Sequence, residues 1–361
     1  MTRFVGLLWL MGLCAGCAGN PTLPNALVLD QQLIDGSAVF GYVVPAAQPV
    51  DMLAMTPAMR AFVDEDVGQS QYSYRRFERL LKKMEAEGFF RNPYLQTGTY
   101  SAAETFAVRK GNCVAYTNLF IALARHARLK ASYQLVFSPP SWDVQSGYLL
   151  RNNHINVNVR SLYQPRETSK DITVDFNAVQ ADDAAPRRNI SDAYAASMFY
   201  ANLSVQHLQA DKLEKSFSFL KLAIQTEPAN VDLWNNLGAF YSIAKQNELA
   251  QDAYRVALRL DGKNKTAFSG LATVLRSQGR LAEAVVYERL VAKYRDRNPY
   301  WHYAAAEQFF KNESFQAALE SIGKAIALKR DAPRFYVLRD AIDRAVAQVE
   351  QSDKTRKQGH G

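Results

Sequence analysis

Apolar and polar positions along the chain repeat with different periods in different stretches, and the changes of period divide it into parts. Downstream of Gly111 and Asn112, Tyr116, Leu119, Phe120, Leu123 and Ala127 recur at the spacing of one helix face. The pattern predicts an amphipathic helix that starts at or near Cys113, with the Gly and Asn acting as breaker and N-cap. Helical segments such as Tyr74 to Glu87 precede it. Further on, Ile155, Val157 and Val159 alternate with His154, Asn156, Asn158 and Arg160, the period of a half-buried strand. A second alternating run sets Ile172, Val174 and Phe176 on one face and Thr173, Asp175 and Asn177 on the other. From Ser197 the same residue kinds return every 34 positions, in frames that open at Ser197, Val231, Lys265 and Pro299. Position 4 of the frames holds Tyr200, Trp234, Phe268 and His302; position 20 holds Ser216, Ala250, Ala284 and Ala318. A last helical pattern, Pro333 to about Gln351, carries Phe335, Leu338, Ile342 and Val346 on one face and is expected to cap the apolar end of the stack.

The 34-residue period, the small residues at positions 8 and 20 and the large ones at 4, 7, 11 and 24 resemble tetratricopeptide repeats, with the second frame (L-W-N-N-L-G-A-F-Y, then A-Q-D-A-Y-R-V-A-L-R-L) matching best. This resemblance implies an all-α solenoid over residues 197–332 that holds a protein or peptide partner in its concave groove. Trp234 and Tyr241 read as core; Asn235, Asn236 and Lys245 are the candidate groove contacts.

At the amino terminus, Arg3, the apolar run Phe4 to Leu13 and the small residues that follow have the form of a secretory signal, too short to span a bilayer. Leu13-Cys14-Ala15-Gly16-Cys17 resembles the lipobox of bacterial lipoproteins, although Cys14 replaces the usual Leu. The resemblance implies removal of residues 1–16, a lipid on Cys17, and, because Ala18 follows it, an outer-membrane address facing the periplasm. Residues 17–55 then form a linking arm and 352–361 a polar, disordered tail. The formal net charge of +8, spread over both halves of the chain, lacks the concentrated basic patch of a nucleic-acid binder. No cluster of His and Cys has metal-ligand spacing, and no cofactor is implied.

The three cysteines carry the candidate chemistry. With Cys14 removed and Cys17 acylated, Cys113 is the single thiol, without a disulfide partner, and it stands in the first turn of a helix. There the positive end of the helix dipole favours a thiolate, and free backbone N–H groups can face an oxyanion. A buried inert cysteine is the bland alternative. Of the five histidines, His126 lies about 20 Å along the same helix, His207 and His302 fall in the repeats, and His360 is in the tail. His154 remains, on the polar face of its strand. Two adjacent antiparallel strands would bring Asp175 beside it, as in a generalised catalytic triad.

The block G-N-C-V-A-Y-T-N-L-F-I-A-L-A-R, a strand His 41 residues later and an Asp 21 residues after that, in I-T-V-D-F, resemble the transglutaminase-like domain, a papain-related α+β fold. By this resemblance Cys113 is the nucleophile, His154 the base and Asp175 the orienting acid of acyl chemistry at an amide bond. The domain is expected over residues 56–190. Hydrolysis and transfer to an amine both remain open, with hydrolysis favoured; arylamine acetyltransferases share the Cys, His, Asp order, but their cofactor-binding signature is missing. A non-catalytic lipoprotein scaffold is the alternative.

Overall fold

The computed structural model describes residues 31–90, 98–145, 148–162, 170–176 and 186–358; the signal-like segment with Cys14 and Cys17 lies outside them. A short turn of helix, α1 (Ser37–Phe40), is followed by α2 (Pro57–Asp64), α3 (Ser73–Ala86), α4 (Ala102–Val108) and α5 (Cys113–His126). Next come β1 (Lys130–Gln145), β2 (Tyr148–Leu162), β3 (Lys170–Val174) and β4 (Arg187–Asn189), which form an antiparallel sheet in the order β3-β2-β1-β4.

Helix α5 is not the one-sided amphipathic helix of the sequence pattern: every residue from Cys113 to Ala124 is buried. The reason is enclosure from both sides. The sheet side supplies Tyr133, whose hydroxyl donates to Asn118 Oδ1 at 2.7 Å, and Phe176, which packs on Tyr116 and Phe120. The other side is closed by α2, α3 and α4, with Phe77 of α3 edge-on to Phe120. A helix buried all round is a core element, so α5 serves as the axis on which the domain is built. β2 departs from expectation in the same direction. Ile155, Val157 and Val159 are fully buried as forecast, but Asn156 is also 0% exposed and Asn158 9%, so both faces are closed over this stretch.

The second half comprises α6 (Asp192–Gln209), α7 (Leu213–Thr226), α8 (Val231–Ile243), α9 (Asn247–Leu260), α10 (Lys265–Ser277), α11 (Leu281–Asp296), α12 (Pro299–Lys311), α13 (Phe315–Leu328) and α14 (Pro333–Gln358). Three of the four frames open on a helix start, at Val231, Lys265 and Pro299, and the second helix of each pair begins at Leu213, Asn247, Leu281 and Phe315, again 34 apart. The period is enforced by local backbone chemistry. Asn230, Asn264 and Asn298 cap the first helices of successive pairs by accepting from backbone N–H groups. Asp211, Lys245, Gly279 and Glu313 take left-handed backbone at the turn inside each pair, with φ of 57°, 59°, 74° and 57°. The first frame differs: α6 starts at Asp192, ahead of Ser197, because Ser191 caps it there and Arg125 of α5 pairs with Asp192 at 2.6 Å. α14 continues past Gln351 to Gln358, so the stretch expected as tail from Ser352 is largely helical. No Gly or Pro interrupts it before Gly359.

The arm ahead of α2 is a strap and not a loose linker. Tyr241 donates to the Leu33 carbonyl at 2.8 Å, Lys221 to Val44 at 2.7 Å, Ser218 to Pro45 at 2.7 Å and Tyr200 to Val50 at 3.1 Å. The strap then hands over to the sheet-bearing half, where the Ala102 N–H donates to the Met52 carbonyl at 2.8 Å. Leu33, Ile34 and Val44 are buried, and one apolar core runs unbroken from Leu33 to Val274. A separate cluster, Ala306 to Ile342, holds the last pair of helices and α14.

Within a helix pair and between neighbouring pairs, small and large residues mesh. The Tyr254 ring, at position 24 of its frame, lies over Gly238, where an added Cβ would come within 2.7 Å of it, and still closer over Gly270. Gly323 in α13, by contrast, faces open space. Gly270→Ala should therefore lower stability by about 1–3 kcal/mol through overpacking, whereas Gly323→Ala should raise it by about 0.5–1 kcal/mol through helix propensity. Denaturant melts of the two variants check this; shifts of the same sign would contradict the packing described.

Candidate active site

Cys113 opens α5, and the chain before it is fixed tightly. Asn112 accepts from the Ala115 N–H at 3.0 Å, donates through Nδ2 to Thr99 Oγ1 at 2.6 Å, and sends its own backbone N–H to the Gly98 carbonyl at 2.9 Å. Gly111 has no room for a side chain, since a Cβ would sit 2.6 Å from that of Ala115. The Cys113 thiol is free of any disulfide and 8% exposed. It sits where the positive end of the helix dipole acts most strongly.

The structure brings all three sequence-derived candidates together. His154, also 8% exposed, turns Nε2 to Asp175 Oδ2 at 2.7 Å. Its ring also hydrogen-bonds the Cys113 side chain. Burial works against a charged imidazole. The hydrogen bonds and charges of Asp175 and Cys113 outweigh it and push His154 up to about 9. At neutral pH the ring is then an imidazolium facing the sulfur, the condition that favours a thiolate. Asp175 lies just past the end of β3, and its side chain is 24% exposed. Phe176, the next residue, is held between Tyr116 and Phe90, with both ring pairs stacked at 6.0 Å.

The other described histidines are engaged elsewhere. His126 meets Asp64 at 3.0 Å, His207 stacks on Phe219, and His302 reaches the Asp296 carbonyl at 3.1 Å. Two residues of the site escaped the sequence reading. Asn156 donates to Asp175 Oδ2 at 3.2 Å, and Thr99 anchors the cap of α5. The strand alternation that singled out His154 also contains the signal for Asn156, which shares its face. Of the groove candidates, Asn236 is half-buried, and Asn235 is buried with neither amide atom hydrogen-bonded. Lys245 occupies the left-handed turn between α8 and α9.

The architecture is that of an α+β domain with Cys, His and Asp converging at a helix start, followed by helical repeats. Residues 60–164 match the model of the transglutaminase-like superfamily core, so this part of the chain is a transglutaminase-like domain; the match includes Cys113 and His154 and ends before Asp175. A stretch of 68 residues is 37% identical to the tetratricopeptide repeat domain-containing protein PYG7, chloroplastic, of Arabidopsis thaliana. That stretch is 19% of this chain and 23% of the relative, so the chain spans under a quarter of that protein's length. Among solved structures, similarity extends to Pseudomonas aeruginosa PilF, with 21% identity over 47% of this chain and 79% of that one at a TM-score of 0.31. Desulfovibrio magneticus MamA is also similar, with 14% identity over 46% and 97% at 0.29.

The raised imidazole has a consequence for stability. Between its ordinary 6.5 and about 9 the native state holds a proton that the unfolded chain releases. The stabilisation is complete below about pH 6.5 and is lost as pH rises through about 9. In Cys113→Ala, which removes the thiol's own titration, urea midpoints should fall across that window and should fall less when His154→Gln is added; parallel profiles would contradict the assignment.

Proposed function

We propose that the protein is a cysteine hydrolase or acyltransferase acting on amide bonds, held at the bacterial envelope by a lipid on Cys17, with its repeats binding a protein or peptide partner. The single observation that carries the catalytic part is the convergence of Cys113, His154 and Asp175 at the start of a helix enclosed on every side. In this reading the Cys113 thiolate adds to the amide carbonyl carbon, and the carbonyl electrons move to oxygen beside the first turn of α5. When the C–N bond breaks, the His154 imidazolium gives its proton to the departing amine, leaving a thioester on Cys113. Water or a second amine then attacks the thioester, His154 takes the proton of that nucleophile, and the thiolate is restored. Asp175 keeps the imidazole oriented and supports its positive charge throughout. Hydrolysis is the favoured outcome of the last step.

The run from Arg3 to Cys17 supports the envelope anchor, and Cys17→Ala should move the protein from the membrane fraction to the soluble one. Asn235 and Asn236, on the first helix of the second pair, and Lys245, in the turn that follows it, are the contacts proposed for the partner.

A thiol-directed probe on the native protein, combined with amide-bond turnover on a peptide library, tests the chemistry. Cys113→Ala should abolish labelling and lower turnover by about 10⁴-fold or more. Turnover unchanged in Cys113→Ala would reject the reading, and no turnover in the wild type would leave the scaffold role.

A further inference from the structure

We infer that Asn156 is a positioning residue of this site, its side-chain amide holding the Asp175 carboxylate in the orientation in which it grips His154. The inference rests on the reading of Cys113, His154 and Asp175 given above and adds one residue to it.

Asn156 is completely buried and lies two residues on from His154, on the same side of β2. The ladder pairs Val157 with Val174, and one further step of that register sets Asn156 beside Asp175. Asn156 Nδ2 donates to Asp175 Oδ2 at 3.2 Å, the oxygen that also meets His154 Nε2 at 2.7 Å. Only the NH₂ end of the amide can face a carboxylate, because Oδ1 there would bring acceptor against acceptor. Oδ1 is then left buried with no hydrogen-bond partner among the described residues. An apolar side chain of similar volume would fill the space without burying an unpaired acceptor. The donor of the amide, and not its volume, is what this position supplies to the site.

Asp175 receives that donor at the end of its strand. It stands one residue beyond the last ladder position of β3, so the sheet does not fix its direction. Stacking of Phe176 between Phe90 and Tyr116 holds the backbone that follows, and Asn156 holds the carboxylate itself. The titratable groups that act on the imidazole are Asp175, from the end of β3, and Cys113, from α5. Loss of the Asn156 donor would loosen the hold of the carboxylate on the imidazole, whose titration then moves toward its ordinary range.

The test uses the full chain with isotopically labelled histidine. The His154 titration midpoint, read by NMR, and the rate of Cys113 alkylation by iodoacetamide at neutral pH are compared in wild type, Asn156→Leu, Asp175→Asn and the double variant. Asn156→Leu should lower the midpoint by about one pH unit or more and slow alkylation about tenfold, yet add less than about twofold in the Asp175→Asn background, because the two residues act as one unit. An unchanged midpoint in Asn156→Leu, or effects that multiply in the double variant, overturns the inference. Asn156→Ala gives the same reading should the leucine variant not fold. If wild-type Cys113 reacts no faster than in the urea-unfolded chain, the cysteine reading itself fails; a fast wild type with an unaffected Asn156→Leu removes only the role of Asn156.

Discussion

The enclosure of α5 is the constraint on which the rest of the N-terminal half depends. Twelve consecutive buried residues, Cys113 to Ala124, require apolar cover on all sides, and that cover comes from the sheet and from α2, α3 and α4. A helix held this way cannot shift along its axis without disturbing close packing around it. Its first residue is consequently held at a defined distance from the strands, and the Cys113 thiol meets the His154 ring there. The cap is secured by the same logic: Asn112 is tied to Gly98 and Thr99, and Gly111 allows the approach that brings those loops together. The reactive geometry is a by-product of core packing at one end of one helix.

The strap makes the two halves a single structural unit. Carbonyls from Leu33 to Val50 are taken up by side chains of the first two helix pairs, while Met52 and Ala102 join the same segment to the start of α4. One core extends from the strap through α5 to α10, and Arg125 of α5 pairs with Asp192 at the start of α6. The apolar cluster around α13 and α14 stands apart from that core, so the far end of the solenoid is held by its own contacts.

Much of this was legible in the sequence, for identifiable reasons. The repeats were readable because each frame carries the same small and large residues, and the structure adds that capping Asn and left-handed turn positions share the period. The pairing of His154 with Asp175 was readable because strand alternation places polar residues on one side. Periodicity could not show that α5 and β2 are buried on both sides, since a helix with a clear apolar stripe can still have its remaining small and polar residues enclosed by neighbours. β1, which pairs with both β2 and β4, went unrecognised although Ala131, Tyr133 and Leu135 alternate as they should. The left-handed turn at Lys245 gives no signal in the sequence, because a lysine there reads the same as a lysine elsewhere in the repeat. The role of Asn156 is not legible in the sequence, because an asparagine on the polar side of a strand looks like surface until the opposite carboxylate is in place.

The central claim is that an imidazolium at His154, held by Asp175, keeps the Cys113 sulfur charged at the start of an enclosed helix. The difference in ultraviolet thiolate absorbance between wild type and Cys113→Ala, followed across pH, measures that charge directly. The account predicts a full thiolate signal at neutral pH that persists well into the acid range, and its loss at neutral pH in His154→Gln. A wild-type signal that appears only near the ordinary thiol range of about 8.5 would contradict it.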